Sequence, residues 1–149
     1  MSTFDVTNIK LYEDLASHMN HQSEHFRILG DADMTMVFAV QTPDKTLHFQ
    51  LVFSELRCDA VDLVPADEAH MADFSLVGSV ESWSDMFDDI YANGGASGPW
   101  TINSLALRGD RISCEGNDPM GLDKFSRFNQ TLQDFLDGAG RLDLIRSQP

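Results

Sequence analysis

Cysteine, proline and basic residues are scarce in this sequence. Of its 149 residues, two are cysteine, five are proline and ten are lysine or arginine. Two cysteines cannot supply the several disulfides that stabilise small secreted domains, and Cys58 and Cys114 both lie in strand-like segments. We therefore expect reduced, buried thiols that take no part in catalysis.

Long apolar stretches are also missing. No run of about 18 apolar residues occurs, so the sequence contains no predicted transmembrane helix. The segment from Met1 to Val6 has neither the basic start nor the apolar core of a secretory signal peptide. These two absences predict a soluble, cytoplasmic protein with no integral membrane association.

The charge balance is strongly negative. Aspartate and glutamate number 24 against ten basic residues, which gives a formal net charge of −14. Phosphate backbones and anionic lipid surfaces repel such a chain, so we expect no nucleic acid partner. The acidic residues are scattered along the chain, which is typical of a solvated surface.

Signatures of nucleophilic catalysis and of nucleotide binding are absent. The sequence has no Gly-x-Ser-x-Gly motif and no paired cysteine and histidine signature. The glycine-rich segment 94–98 lacks the lysine and the preceding strand of a phosphate-binding loop. We therefore predict a protein that needs no cofactor.

Three histidines form an arrangement that suggests a metal site. His18, His21 and His25 are three and four residues apart, and they would share a face if the first helix continued through them. Ser23 and the residues after it indicate that the helix ends near that point. We therefore expect a solvated polar face and no metal.

The last third of the chain specifies a strand followed by a long amphipathic helix. Asp118 is suited to cap the helix, Pro119 to its first position and Gly138 to a left-handed exit. Apolar residues recur along one side of it, at Leu122, Phe125, Phe128, Leu132, Phe135 and Leu136. That side must cover an apolar surface.

Helical spacing of apolar residues also occurs earlier in the chain. It predicts an opening helix over about 7–20 and a second helix capped by Ser79. Pro99 suits the first position of a third, shorter helix.

Strand patterns fill the region between the first two helices. Apolar residues alternate with others over 33–40 and 47–53, and the turn at 42–45 predicts that these strands form an antiparallel hairpin. Further strands at 57–63 and 72–77 would continue the meander across a turn-like connection. The order of elements predicts a single α+β domain over 1–149, with helices on one face of a mostly antiparallel five-stranded sheet.

Three passages carry a family resemblance: the strand and helix of 72–83, the strand and glycine turn of 105–117, and the final helix. In this order they resemble the sterol carrier protein 2-like (SCP2-like) family over about residues 33–137, with a short tail at 138–149. The resemblance implies a five-stranded sheet paired with helices that enclose an apolar ligand tunnel. The segment 91–100 is longer than the family's usual connection.

The resemblance also implies which residues lie near such a tunnel. They are apolar side chains of the predicted helices and one amide: Trp83, Phe87, Trp100, Ile102, Leu105, Phe125, Phe128, Asn129 and Leu132. The simpler interpretation of each apolar member is ordinary core, because any packed helix needs such residues. Asn129 could hold a ligand headgroup, or it could bond to backbone or water.

We therefore expect the chain to bind or carry a hydrophobic small molecule or lipid between sheet and helices. One alternative is a cofactor-independent isomerase, cyclase or lyase that acts on an apolar substrate. Its acid/base candidates are Asp73, Glu115, His48 and His70. A second alternative is a protein-interaction or dimerisation module, such as a homodimer, that uses an exposed sheet edge.

Overall fold

A computed structural model describes residues 4–141, which fold into five strands and six helices. The strands are β1 (Met34–Gln41), β2 (Thr46–Ser54), β3 (Arg57–Val64), β4 (Phe74–Ser79) and β5 (Ile112–Glu115). The helices are α1 (Ile9–Asn20), α2 (Ser23–Arg27), α3 (Ala66–Ala69), α4 (Val80–Asn93), α5 (Ile102–Arg108) and α6 (Pro119–Asp137). The predicted α+β fold is confirmed.

The sheet has the strand order β3-β2-β1-β4-β5. Three of its four strand pairs are antiparallel, whereas β1 and β4 are parallel. The predicted meander beyond β3 is therefore wrong, because β4 crosses over to pair with β1. The signal was in β1 itself: Val37 and Ala39 occupy the alternate positions that a half-buried strand gives to polar residues, and both are buried. A strand that is apolar on both faces belongs in the middle of a sheet.

The main core lies on what we call the inner face of the sheet. Met36, Phe38 and Val40 of β1 point into it, together with Phe49 and Leu51 of β2. All the helices except α3 contribute buried or half-buried apolar side chains to the same cluster. The inner face is thus where the predicted helical layer lies.

A smaller apolar cluster occupies the opposite, outer face. It consists of Val37, Ala39, Val64 and Ala69, the last of which belongs to α3. The sequence predicts a turn-like connection at residues 65–70, whereas the structure has the short helix α3 there. Helix α3 covers one end of the outer face. It is the exception to the prediction that the helices lie on one face of the sheet.

Most helix starts follow the predicted capping chemistry. Ser79 accepts a hydrogen bond from Ser82 N at 3.1 Å, and Asp118 accepts one from Met120 N at 3.0 Å. Asn8 caps α1 in the same way through Lys10 N at 2.9 Å. These side chains satisfy amide groups that the first helical turn leaves without a partner.

Two predicted details of the helices are wrong. Gly138 has φ −55° and continues into a 3₁₀ turn at Gly138–Arg141, so it is not a left-handed exit. Pro99 lies in the 3₁₀ turn Gly98–Trp100, and Thr101 caps the separate helix α5.

Within residues 4–141 no helix is long and apolar enough to cross a bilayer.

Candidate functional site

Eight of the nine residues expected near a tunnel belong to the main core or pack against it. Six of them are buried members of the main core: Trp83, Phe87, Ile102, Leu105, Phe125 and Leu132. Trp100 and Phe128 are half-buried and pack against that core. The ninth, Asn129, does not belong to the cluster, and its Nδ2 donates to Ser126 O at 2.8 Å within α6.

Trp83 is held against the sheet by a hydrogen bond. Its Nε1 donates to Ala39 O at 3.1 Å, and its ring contacts Phe38 edge to face, with 5.3 Å between ring centroids. Gly78 makes room for this arrangement, because a Cβ there would lie 3.3 Å from Trp83 Nε1 and 3.0 Å from Arg111 O. The indole therefore fixes α4 to the middle of β1.

Helix α6 lies directly on the backbone that precedes β4. A Cβ on Gly121 would come within 2.2 Å of Asp73 O, so only glycine fits this contact. One turn later, Phe125 packs against Phe74 with ring centroids 5.5 Å apart. This close approach fixes the distance between α6 and the start of β4.

Apolar side chains continue from the core to solvent where α5, β5 and α6 meet. We call this strip the α5–α6 seam. Its members are half-buried residues that pack against the core: Trp100, Ala106, Cys114, Leu122 and Phe128. Leu107 of α5 and Met120 of α6 are exposed, as are Ile28 and Met71 elsewhere on the surface.

The segment that leads into α5 is joined to α6 by one buried and two partly buried hydrogen bonds. Ile102 N donates to Gln133 Oε1 at 2.6 Å, and Gln133 Nε2 donates to Asp137 Oδ1 at 2.7 Å. Ala96 N donates to the same Asp137 oxygen at 3.0 Å. Burial is the main reason why the pKa of Asp137 is raised, although these bonds act in the other direction.

Sequence reasoning did not find Gln133 or Asp137. The available signal was weak: an amide and a carboxylate four residues apart on one helix, beyond a connection that is long for the fold.

The four acid/base candidates lie outside the main core. Asp73 Oδ2 accepts from Thr35 N at 2.9 Å and from Lys124 Nζ at 3.2 Å, so it joins β1 to α6. His48, His70 and Glu115 line a cleft on the outer face.

Within residues 4–141 the buried polar side chains are Ser82, Thr131 and Gln133, and the acid/base candidates are not among them. None of the four acid/base candidates therefore lies in this interior.

The three histidines do not share a helical face, because α1 ends at Asn20. His21 Nδ1 lies 2.7 Å from Ser17 O, and His25 Nε2 lies 3.0 Å from Asp134 Oδ2. In the described part of the chain no group of three or more histidine, cysteine, aspartate or glutamate side chains is arranged to hold a metal.

Both cysteines are free thiols. Burial raises the pKa of Cys58 to about 12 and that of Cys114 to about 11. Such thiols remain protonated at neutral pH and are poor nucleophiles.

No model of a known protein family matches the sequence, and no curated protein matches it. Solved structures do match. A crystal structure of sterol carrier protein 2 aligns with a TM-score of 0.68 over 91% of this chain and 98% of that chain, at 13% identity. The chain has the sterol carrier protein 2 fold.

A second structure supports the same fold. It is a solution structure of a conserved hypothetical protein from Thermus thermophilus, described as a possible sterol carrier protein. It aligns with a TM-score of 0.59 over 93% of this chain and 92% of that chain, at 15% identity. At such identities the likeness shows a common SCP2-like fold, and what this chain binds has to be argued from its own side chains.

Proposed function

We propose that this protein binds and carries a hydrophobic small molecule or lipid between the inner face of the sheet and helices α4, α5 and α6. The observation that carries the proposal is the α5–α6 seam, where apolar side chains run from the core to solvent. The half-buried Trp100 and Phe128 give the seam an apolar surface at the border of the core, which suits a route for an apolar ligand. The sterol carrier protein 2 fold supports the same function.

The apolar side chains of this interior are buried against one another, so a ligand would take the place of some of their contacts. Helix α5 is the element best suited to move, because it has seven residues and follows the half-buried Trp100. The contacts that Leu105 makes within the core would be replaced by contacts with an equally apolar ligand. The cost of binding would then fall mainly on the shift of α5 and on the Ile102–Gln133 hydrogen bond.

In this proposal the nine residues from Trp83 to Leu132 named above surround the ligand or its entrance. The half-buried Trp100 and Phe128 form the entrance, and the buried members form the walls. In this proposal the protein works in the cytoplasm and needs no cofactor. Its net charge of −14 repels the phosphate backbone of nucleic acids, so no nucleic acid is a partner.

Titration with a fluorescent stearate tests the proposal. We expect saturable binding of one molecule of NBD-labelled stearate per chain, with native mass spectrometry giving the stoichiometry. Leu105→Trp should weaken binding at least tenfold, because the larger ring takes space in the interior. Leu63→Trp is the matched control, since Leu63 is exposed on β3 at the other edge of the sheet.

Two results would contradict the proposal. One is the absence of saturable binding by the folded wild-type protein. The other is equal affinity in the two tryptophan variants, which would place the stearate outside the interior. Circular dichroism and urea unfolding establish that both variants are folded before their affinities are compared.

A further inference from the structure

The outer face of the sheet contains a second cleft, separate from the proposed lipid site. Its floor is formed by Ala39 and Val77, and one wall is formed by Ala66 and the end of α3. Small side chains leave a volume of about 380 Å³, which lies within the usual range for small-molecule sites. The sheet itself divides this outer cleft from the main core.

Polar groups converge on the rim of the outer cleft from three parts of the chain. His48 comes from β2, His70 follows α3 and Glu115 ends β5. Asn117 Nδ2 donates to His70 O at 3.2 Å, which joins the loop after β5 to the loop after α3. The cleft therefore combines a flat apolar floor with a rim that can hydrogen-bond, as ligand sites do.

The charges of the outer cleft have one sign. No lysine or arginine lines it, and within residues 4–141 no basic side chain forms an ion pair with Glu115. Ser113 Oγ donates to Glu115 Oε2 at 2.8 Å, so the carboxylate is held on the outer face of β5. Asp67 and Glu68 belong to α3, whose Ala66 and Ala69 line the cleft. A chain with net charge −14 also concentrates cations around such a site.

We propose that the outer cleft binds a small organic cation, namely an amine attached to a compact apolar group. The ammonium group would pair with Glu115, and the apolar group would lie on Ala39 and Val77. The imidazoles of His48 and His70 can accept hydrogen bonds from the remaining N–H groups of the amine. The proposal for this site does not rest on the proposal that the interior binds a lipid.

Three ligands of one shape and different charge test the proposal. Benzylamine, benzyl alcohol and benzoate would each be titrated into uniformly ¹⁵N-labelled protein and followed by ¹H–¹⁵N spectra at pH 7. We expect saturable shifts at the amides of Ala39, Val77 and Glu115 with benzylamine, at least tenfold weaker binding of benzyl alcohol, and no binding of benzoate.

Variants locate the site and separate it from the lipid site. Glu115→Gln should weaken benzylamine binding at least tenfold, whereas Asp110→Asn, an exposed aspartate away from the cleft, should not. Ala66→Phe should abolish binding by filling the cleft from the exposed side of α3. Leu105→Trp should leave benzylamine binding unchanged, so failure of the lipid proposal and failure of this one are distinguishable.

Three outcomes would overturn the inference. Shifts that do not saturate would show that no site exists. Equal affinity of wild type and Glu115→Gln would remove the carboxylate from recognition, and binding that persists in Ala66→Phe would place the amine elsewhere. Glu115 and Ala66 are exposed, so both variants should fold, which their spectra will show directly.

Discussion

The side chain of Asn20 pairs with the backbone of Cys58 as a neighbouring strand would. Its Nδ2 donates to Cys58 O at 3.0 Å, and its Oδ1 accepts from Cys58 N at 2.9 Å. Cys58 lies in β3, which is an edge strand. The amide at the end of α1 therefore occupies backbone groups through which a second chain could add to the sheet.

Asn20→Ala should expose that edge and destabilise the protein. We expect the free energy of unfolding to fall by about 1–2 kcal/mol, because two hydrogen bonds are lost and Cys58 N–H is left without a partner. Sedimentation should show more self-association than in wild type. Asn129→Ala is the control, since its hydrogen bond is local and exposed, and unchanged sedimentation of Asn20→Ala would contradict the protective role.

Gly121→Ala should be destabilising although alanine favours helices. Alanine gains about 1 kcal/mol in helix propensity over glycine, but its Cβ would lie 2.2 Å from Asp73 O. Backbone must move to relieve this contact, so we expect a net loss of about 2 kcal/mol or more in urea unfolding. Ser126→Ala, at an exposed position of the same helix, should stay within about 0.5 kcal/mol of wild type. A stabilised Gly121→Ala protein would disprove the close contact.

Gln133→Met keeps the length of the side chain and removes its hydrogen bonds. Ile102 N–H would be buried without a partner, which costs about 1–3 kcal/mol. Hydrogen exchange should also become faster in the segment before α5. Gln130→Met changes an exposed glutamine on the same helix and should leave both measurements unchanged. Equal exchange in the two variants would argue against this attachment of α5.

The raised pKa of Asp137 makes a prediction about pH. Burial is its main cause, and the nearby Asp134 and Asp89 also raise it. Between the unfolded and the folded pKa of Asp137, the folded state therefore binds more protons than the unfolded state. The stability that this group contributes is present below its unfolded pKa of about 4, and it is lost as pH rises through the folded pKa. Asp137→Asn should remove this loss of stability with rising pH, because an amide does not titrate. The fold should be kept, because the amide oxygen can still accept from Ala96 N.

Urea unfolding of wild type and Asp137→Asn across the acidic range measures the effect. As pH rises from about 4, the unfolded pKa, the free energy of unfolding of wild type should fall relative to that of Asp137→Asn. Above the folded pKa the difference between the two proteins should become constant. Asp110→Asn, at an exposed site, controls for the change in net charge. Parallel curves for wild type and Asp137→Asn would show that burial does not raise this pKa.

Cys114 reports on the α5–α6 seam. Its pKa of about 11 means that little thiolate exists at pH 8, so alkylation by N-ethylmaleimide should be at least tenfold slower than in the urea-unfolded protein. Bound stearate should slow the reaction further, because the half-buried thiol lies in the proposed route of the ligand. Protection of Cys58 with no effect at Cys114 would place the ligand elsewhere.

Local patterns in the sequence were sufficient to predict most elements. Ser79 and Asp118 start helices through hydrogen bonds within one turn, and Pro119 suits a helix start through its fixed φ. The alternation in β1 and β2 defines a hairpin. The parallel pairing of β1 with β4 was not predicted, because it depends on which strand edges remain free once the hairpin forms. Gly138 suited a left-handed exit in isolation, but the chain continues there into a 3₁₀ turn.

The sites were harder to predict than the fold, because they depend on contacts between distant segments. Helical spacing placed the aromatic residues of α4 and of α6 each on one face of its helix. It could not show whether these residues fill the interior or leave space for a ligand. His48, His70 and Glu115 are far apart in sequence, and the crossover to β4 brings them to one cleft. Gln133 and Asp137 act on Ala96 and Ile102, which no pattern on α6 indicates.

Ala39 belongs to both sides of the sheet. Its carbonyl accepts the indole N–H of Trp83 from the inner side, while its methyl group forms the floor of the outer cleft. A single residue thus serves as a partition between two compartments. If a ligand on one side displaces the indole, the backbone that supports the other side changes too, and thermodynamics requires that any such influence be mutual. Two ligands of different chemistry could in this way regulate each other across the thickness of one strand.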